Sequence, residues 1–216
     1  MKRKEIFTNI RQSAAVSIAL MVICGLLFPV ALWGISSVFF HDQANGSLIK
    51  LNGTVIGAEH VGQEFTEPYF MKGRPSAVGY NTYTEDADGN KVKMDGSEYT
   101  GVSSGSANYA PSNPELLKRV THDMNQFLAE NPEISREDIP TDLLTASGSG
   151  LDPHISPASA AVQVPAIAKA SGITEEKLEE IIKRNTKGKL FNLLGEKAVN
   201  VLGVNIEIAQ EMGLIK

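Results

Sequence analysis

The chain has 216 residues, 42% of them hydrophobic, with 20 basic and 25 acidic side chains and a single cysteine. Beyond residue 40 the balance is 16 basic to 24 acidic, a net of −8, which argues against a nucleic-acid surface. The lone Cys24 excludes an internal disulfide and leaves no thiolate for a metal in the rest of the chain.

Lys2, Arg3, Lys4 and Arg11 precede a run, Gln12 to Phe40, in which no side chain is charged. As a helix it would rise about 43 Å, more than a hydrocarbon core of about 30 Å requires. The basic cluster predicts a cytoplasmic start and an extracytoplasmic remainder. The run outlasts the apolar core of a cleaved secretory signal and ends in Trp33, Phe39 and Phe40, aromatics suited to a membrane interface. Ile23 before Cys24 is too large for lipoprotein processing. Residues 1–11 thus read as a cytoplasmic start, 12–40 as a retained transmembrane helix and 41–216 as one extracytoplasmic domain. Pro29 is expected to kink the span, and Ser13/Ser17 with Ala15/Ala19 place small residues four apart.

After a polar link, Leu48–Leu51 and Thr54–Ala58 flank Asn52-Gly53, a hairpin signal because both turn positions need positive φ. Tyr69-Phe70-Met71 reads as another strand. Residues 84–101 read as a polar loop or extended hairpin around Asp86-Ala87-Asp88-Gly89-Asn90. Calcium-loop chemistry fails there, since Lys91 replaces the turn glycine and Ser97 the bidentate glutamate. Asn113-Pro114-Glu115 opens a helix whose apolar stripe is Leu116, Leu117, Val120, Met124, Phe127 and Leu128, with His122 off the stripe; Asn131-Pro132 ends it. Ser156-Pro157 starts a second helix that Pro165 kinks or divides. Thr174 caps a third, with Leu178, Ile181 and Ile182 inward and Ile173 stapled to Leu178. The Val- and Ile-rich tail, Ala198 to Ile208, is expected to be a strand. Strands at both ends with helices between predict an α+β domain.

The densest chemistry lies in Gly148-Ser149-Gly150-Leu151-Asp152-Pro153-His154-Ile155-Ser156-Pro157. Ser149 with His154 suggests a membrane-anchored extracytoplasmic hydrolase; a periplasmic binding module is a separate alternative. However, Ala146 breaks the G-x-S-x-G elbow and a triad is assembled from distant positions. Asp152 and His154 have no third metal ligand at suitable spacing, and no Gly-Lys-Ser/Thr follows to make a phosphate loop. A structured turn remains the plainest reading of these residues.

The string from Ala146 to Pro157, with Ala160-Ala161 and Gln163, resembles the signature of the KdpC family, the C subunit of the high-affinity potassium-transporting ATPase. Gly73-Arg74-Pro75-Ser76-Ala77 with Tyr80-Asn81, the Ser103–Asn108 run with Pro111-Ser112-Asn113-Pro114, and Leu194-Gly195 with Val199-Asn200-Val201-Leu202 resemble that family's other segments. The resemblance covers nearly the whole chain. It implies a non-catalytic subunit of a P-type pump that imports K⁺, alongside an ion-conducting A subunit, an ATP-hydrolysing B subunit and a small F peptide. It also implies a catalytic-chaperone role that raises the ATP affinity of B. ATP and K⁺ then belong to the complex, and no cofactor is assigned to this chain. Gly148, Ser149, Gly150, Asp152, His154 and Gln163 are the signature positions, Gln163 matching a glutamine proposed to touch nucleotide. The charge rule puts Gln163 across the membrane from cytoplasmic ATP, so any effect on affinity must be a coupling through the complex.

Overall fold

A computed structural model describes residues 3–93, 96–191 and 193–215; of the basic cluster at the start, Lys2 lies outside them. The chain divides into two compact units, Met1–Leu48 and Ile49–Lys216, each described by itself.

The first unit is dominated by one helical run, Glu5–Phe39, which contains an 18-residue window of mean hydropathy 2.6 and is long and apolar enough to cross a membrane. It comprises α1 (Arg3–Val22), a π-helical turn (Ile23–Leu27) and α2 (Phe28–Phe39). The π turn stands directly before the helix turn that carries Pro29. Proline has no N–H to donate and crowds the preceding turn, and the widened turn just before it relieves both constraints. A short α3 (His41–Ala44) follows.

In the second unit the hairpin forms as expected, β1 (Leu48–Leu51) pairing with β2 (Thr54–Ala58). Asn52 (φ +50°) and Gly53 (φ +81°) supply the two left-handed turn positions. Residues 83–93 also make a hairpin, β3 (Tyr83–Glu85) against β4 (Lys91–Lys93) with Thr84 opposite Val92. Asp86 Oδ1 accepts from the amides of Asp88 and Asn90 at 2.9 and 2.8 Å, so this carboxylate closes a turn.

Helix α4 (Pro114–Glu130) starts where Asn113 Oδ1 accepts from Glu115 N at 2.9 Å. Met124 and Phe127 are buried with Ile139 and Leu143, forming one of two apolar clusters. Leu117 departs from the expected stripe and lies exposed, because that cluster covers only the later turns of α4. His122 is exposed, as its position off the stripe predicts.

The main core lies between a three-stranded antiparallel sheet and the helices α5 (Pro157–Ala161), α6 (Val164–Ser171), α7 (Glu175–Arg184) and α8 (Val201–Glu211). In the sheet β7 (Ala198–Asn200) is central, pairing with β5 (His154–Ile155) and β6 (Thr186–Lys187). Pro165 stands in the first turn of α6, and the second helix is divided between Ala161 and Val164. Thr174 caps α7 through Lys177 N, and Leu178 and Ile181 are fully buried.

Two expected strands are corrected. In the tail only Ala198–Asn200 is strand; Asn200 Oδ1 then accepts from Gly203 N at 2.8 Å and the chain turns into α8. Val201, Val204, Asn205 and Ile208 are buried at helical spacing, and that packing overrides the β-propensity of Val and Ile. Tyr69-Phe70-Met71 joins no sheet. Phe70 N donates to Glu67 O (3.1 Å) in a turn, and Met71 is held by a side-chain amide: Met71 N donates to Asn205 Oδ1 (2.8 Å) and Asn205 Nδ2 donates to Met71 O (2.9 Å).

Candidate functional site

The segments that carry the family resemblance lie far apart in sequence and fold into one polar bracket. Arg74 Nη1 stands 3.5 Å from Asp152 Oδ2, both side chains partly buried. Arg74 Nε and Nη2 donate to Thr145 O at 3.3 and 3.1 Å, so the guanidinium ties the stretch entering the signature to the carboxylate within it. Asp152 Oδ1 accepts from His154 N at 3.0 Å, fixing the turn that leads into β5.

Ser76 holds the opposite side. Its hydroxyl donates to Gly150 O at 2.6 Å and accepts from Val78 N and Tyr80 N. The Tyr80 hydroxyl donates to Arg74 O at 2.7 Å, and burial, reinforced by Asp152, pushes its pKa up to about 12. Asn81 exchanges hydrogen bonds with the backbone of Ser103 at 2.8 and 3.0 Å, joining the Gly/Ser-rich run to the same bracket.

Glycine is required where these strands of chain touch. A Cβ on Gly150 would stand 2.4 Å from Val78 Cγ2, and one on Gly62 would stand 2.6 Å from Asp152 O. The Gly62 amide donates to Leu151 O at 2.9 Å, so the approach is itself a bond. Gly148 has open space around it, and nothing in its contacts demands glycine.

Ser149 and His154 are not brought together as a nucleophile and its base. Ser149 Oγ meets Ser104 Oγ at 3.1 Å and accepts from Leu151 N at 3.2 Å. His154 Nδ1 is 3.9 Å from Asp152 Oδ1, and its buried Nε2 has no hydrogen-bond partner among the described residues. Burial pushes the imidazole below its ordinary value, Asp152 opposing and Lys187 and His60 adding to the drop. Among the described residues no group of three or more His, Cys, Asp or Glu side chains is placed to hold a metal.

Asp142, on a 3₁₀ turn (Thr141–Leu143), was not singled out by its sequence context, yet it organises the end of the signature. Its carboxylate accepts from Ser156 N (2.7 Å), Ser156 Oγ (3.0 Å) and Ser159 Oγ (2.5 Å). Burial pushes its pKa up, but the bonds from Ser159 and Ser156 outweigh that and leave it below the usual carboxylate range.

Gln163 stands at the division between α5 and α6 and is 2% exposed. Its Oε1 accepts from Lys72 N at 2.8 Å; its Nε2 donates to Ser159 O at 2.9 Å and Lys72 O at 3.2 Å. With Asn205 on Met71, two buried amides grip consecutive residues of one segment. Gln163 borders a cleft of about 550 Å³ that also touches Phe70, Glu130, Pro132 and Ala166. Lys72 Nζ, at the same cleft, donates to the carbonyls of Phe65, Thr66 and Glu67 at 2.9, 2.6 and 3.3 Å. Burial lowers the Lys72 pKa, with Glu130 opposing. The polar groups of Gln163 and Lys72 are thus committed to the fold.

Fold and site together define an α+β domain carried behind one candidate membrane span and organised around a polar bracket. A family model described as K⁺-transporting ATPase, C chain, matches residues 10–210. The potassium-transporting ATPase KdpC subunit of Clostridium kluyveri is 57% identical over 208 residues, covering 96% of each chain. That of Clostridioides difficile is 57% identical over 212 residues, covering 96% of this chain and 99% of the relative. That of Caldanaerobacter subterraneus subsp. tengcongensis is 38% identical over 204 residues, covering 94% and 96%. The chain belongs to the KdpC family, the C subunits of the K⁺-transporting ATPase.

Proposed function

We propose that this chain works as a non-catalytic subunit of an ATP-driven potassium importer. Residues 12–40 anchor it in the cell membrane, the basic start stays in the cytoplasm, and residues 41–216 lie outside. Its partners are the ion-conducting A, ATP-hydrolysing B and small F subunits. It stabilises their assembly and raises the ATP affinity of B as a catalytic chaperone. The observation that carries this reading is the bracket: the family segments meet and bind one another through backbone carbonyls, Arg74 and Asp152.

The proposed effect on ATP runs through the protein frame. The Gln163 amide is occupied by Lys72 and Ser159, which supports a positioning role in holding the 65–72 segment to α5 and α6. Gly148, Ser149, Gly150, Asp152 and His154 in this reading shape the surface that meets the A subunit.

Mild-detergent purification of the tagged full chain, followed by K⁺-stimulated ATPase assay, tests the reading. Recovery of the larger pump chains, with activity lost when this chain is omitted, is the expected result. Recovery of this chain alone in several gentle detergents would overturn it. In the assembled pump, Gln163→Ala should raise the apparent KM for ATP without abolishing turnover, and an unchanged KM removes the chaperone role from this residue.

A further inference from the structure

The loop between β6 and β7 exposes its largest apolar side chains. Leu190, Phe191, Leu193 and Leu194 are 61, 87, 78 and 59% exposed, an apolar cluster left outside both buried cores of the domain. The loop is nonetheless built. Leu190 N donates to Leu194 O at 2.8 Å and Leu194 N to Leu190 O at 3.0 Å; Leu193 N also donates to Leu190 O at 3.1 Å. Phe191 sits in the left-handed region (φ +52°), a conformation that a bulky residue adopts only where the surroundings impose it. Among the described residues, a backbone bridge between Leu190 and Leu194 carries hydrophobic side chains that face solvent.

The charge around the tip is reversed relative to the chain. Residues 187–197 carry Lys187, Lys189 and Lys197 against Glu196, a net of +2 in a protein of net −5. Lys187 pairs with Glu59 and Lys189 stands 3.5 Å from Glu196, so the basic collar is held at the root of the loop. Only nine residues, 40–48, separate the end of the apolar helix from the domain's first residue, at most about 32 Å of chain. A domain so tethered meets a bilayer at high effective concentration.

We propose that Leu190, Phe191, Leu193 and Leu194 form a second membrane contact, inserting into the interfacial layer of a bilayer containing anionic lipid while Lys189 and Lys197 stay among the headgroups. An exposed apolar tip with lysines beside it suits a lipid interface, where the lysine stems can follow the apolar surface while their ammonium groups remain hydrated. Anionic headgroups supply the charge that this collar complements. The proposal rests on the anchored reading of residues 12–40.

The test uses the full chain in vesicles of phosphatidylcholine and phosphatidylglycerol carrying spin-labelled acyl chains. In a Cys24→Ser background, Phe191→Cys or Leu193→Cys carries a small environment-sensitive fluorophore, and Val102→Cys serves as an exposed control. The native Trp33, the only tryptophan, reports the anchor itself. Quenching at 191 and 193 should exceed that at 102 by at least about twofold and increase with phosphatidylglycerol content. Quenching of Trp33 with none above control at 191 and 193 overturns the loop contact alone. No quenching at Trp33 either overturns the anchored reading, and this one with it. Shielding that appears only when the larger pump chains are present, without lipid quenching, also overturns it and assigns the tip to a protein partner.

Discussion

The helical core and the signature bracket occupy the same domain but are held by different physics. In the core, Leu178, Ile181, Val204 and Ile208 are buried in one cluster with Val199 of β7, and each contributes by leaving water. In the bracket, Ser76, Asp152 and Asp142 bond to backbone while glycines permit contact distances that no side chain tolerates. The first arrangement tolerates exchange among hydrophobic shapes of similar volume; the second depends on particular atoms at particular places.

Substitutions should break or sharpen this contrast. The largest loss is expected from Ile181→Ala, about 4 kcal/mol read from denaturant titration of the detergent-solubilised chain, because a fully buried side chain leaves a cavity. Gly62→Ala adds one methyl group yet should cost about 2–3 kcal/mol, since its Cβ meets the Asp152 carbonyl at 2.6 Å and backbone cannot step aside. A loss below about 0.5 kcal/mol there would show that the bracket is looser than its contacts state. Gln163→Ala leaves Lys72 N–H and Ser159 O without their partner and should cost about 2 kcal/mol on the same assay.

Smaller effects are expected from the titrating groups. Asp142→Asn weakens the bonds to Ser156 and Ser159 and should cost about 1.5 kcal/mol near neutral pH. Because the Asp142 carboxyl lies below its ordinary 3.8 in the fold, its stabilisation is present above that value and is lost as pH falls through the lower folded one. Asn at this position should flatten that acid limb. His154 gives the smallest change. Its folded value lies below the ordinary 6.5, so the unfolded chain takes up the proton first and stability declines as pH falls from 6.5 toward the folded value. Between about pH 7 and about pH 5 the wild-type unfolding midpoint should drop and that of His154→Gln should not.

The same division governs what could be read from the residues. Caps and turns declare themselves locally, so Asn52-Gly53, Asn113-Pro114 and Thr174 stood where the elements begin. An interruption of the second helix near Pro165, read as a kink or a division, and the α+β class were legible too; the division falls at 162–163, just before the proline. Composition misled in the tail, where Val and Ile favoured a strand although Asn200 and the 201–204–205–208 spacing offered a cap and a helical face. The absent strand at Tyr69–Met71 had no local signal. Its partners are Asn205 and, one residue on, Gln163, both distant in sequence. Asp142 was hidden for the same reason, its three bonds closing on residues 14 and 17 positions away.

The π turn at Ile23–Leu27 changes what the candidate membrane helix presents sideways. One additional residue in a turn rotates everything beyond it by about 100° relative to an uninterrupted α-helix. The edge traced by Ser13 and Ser17 therefore does not run on to Gly25 and beyond in a straight line. A neighbour lying flush along α1 drifts off that edge at Pro29, and α2 offers its own edge to a different azimuth. The candidate span is thus two stacked half-helices whose edges point in different directions.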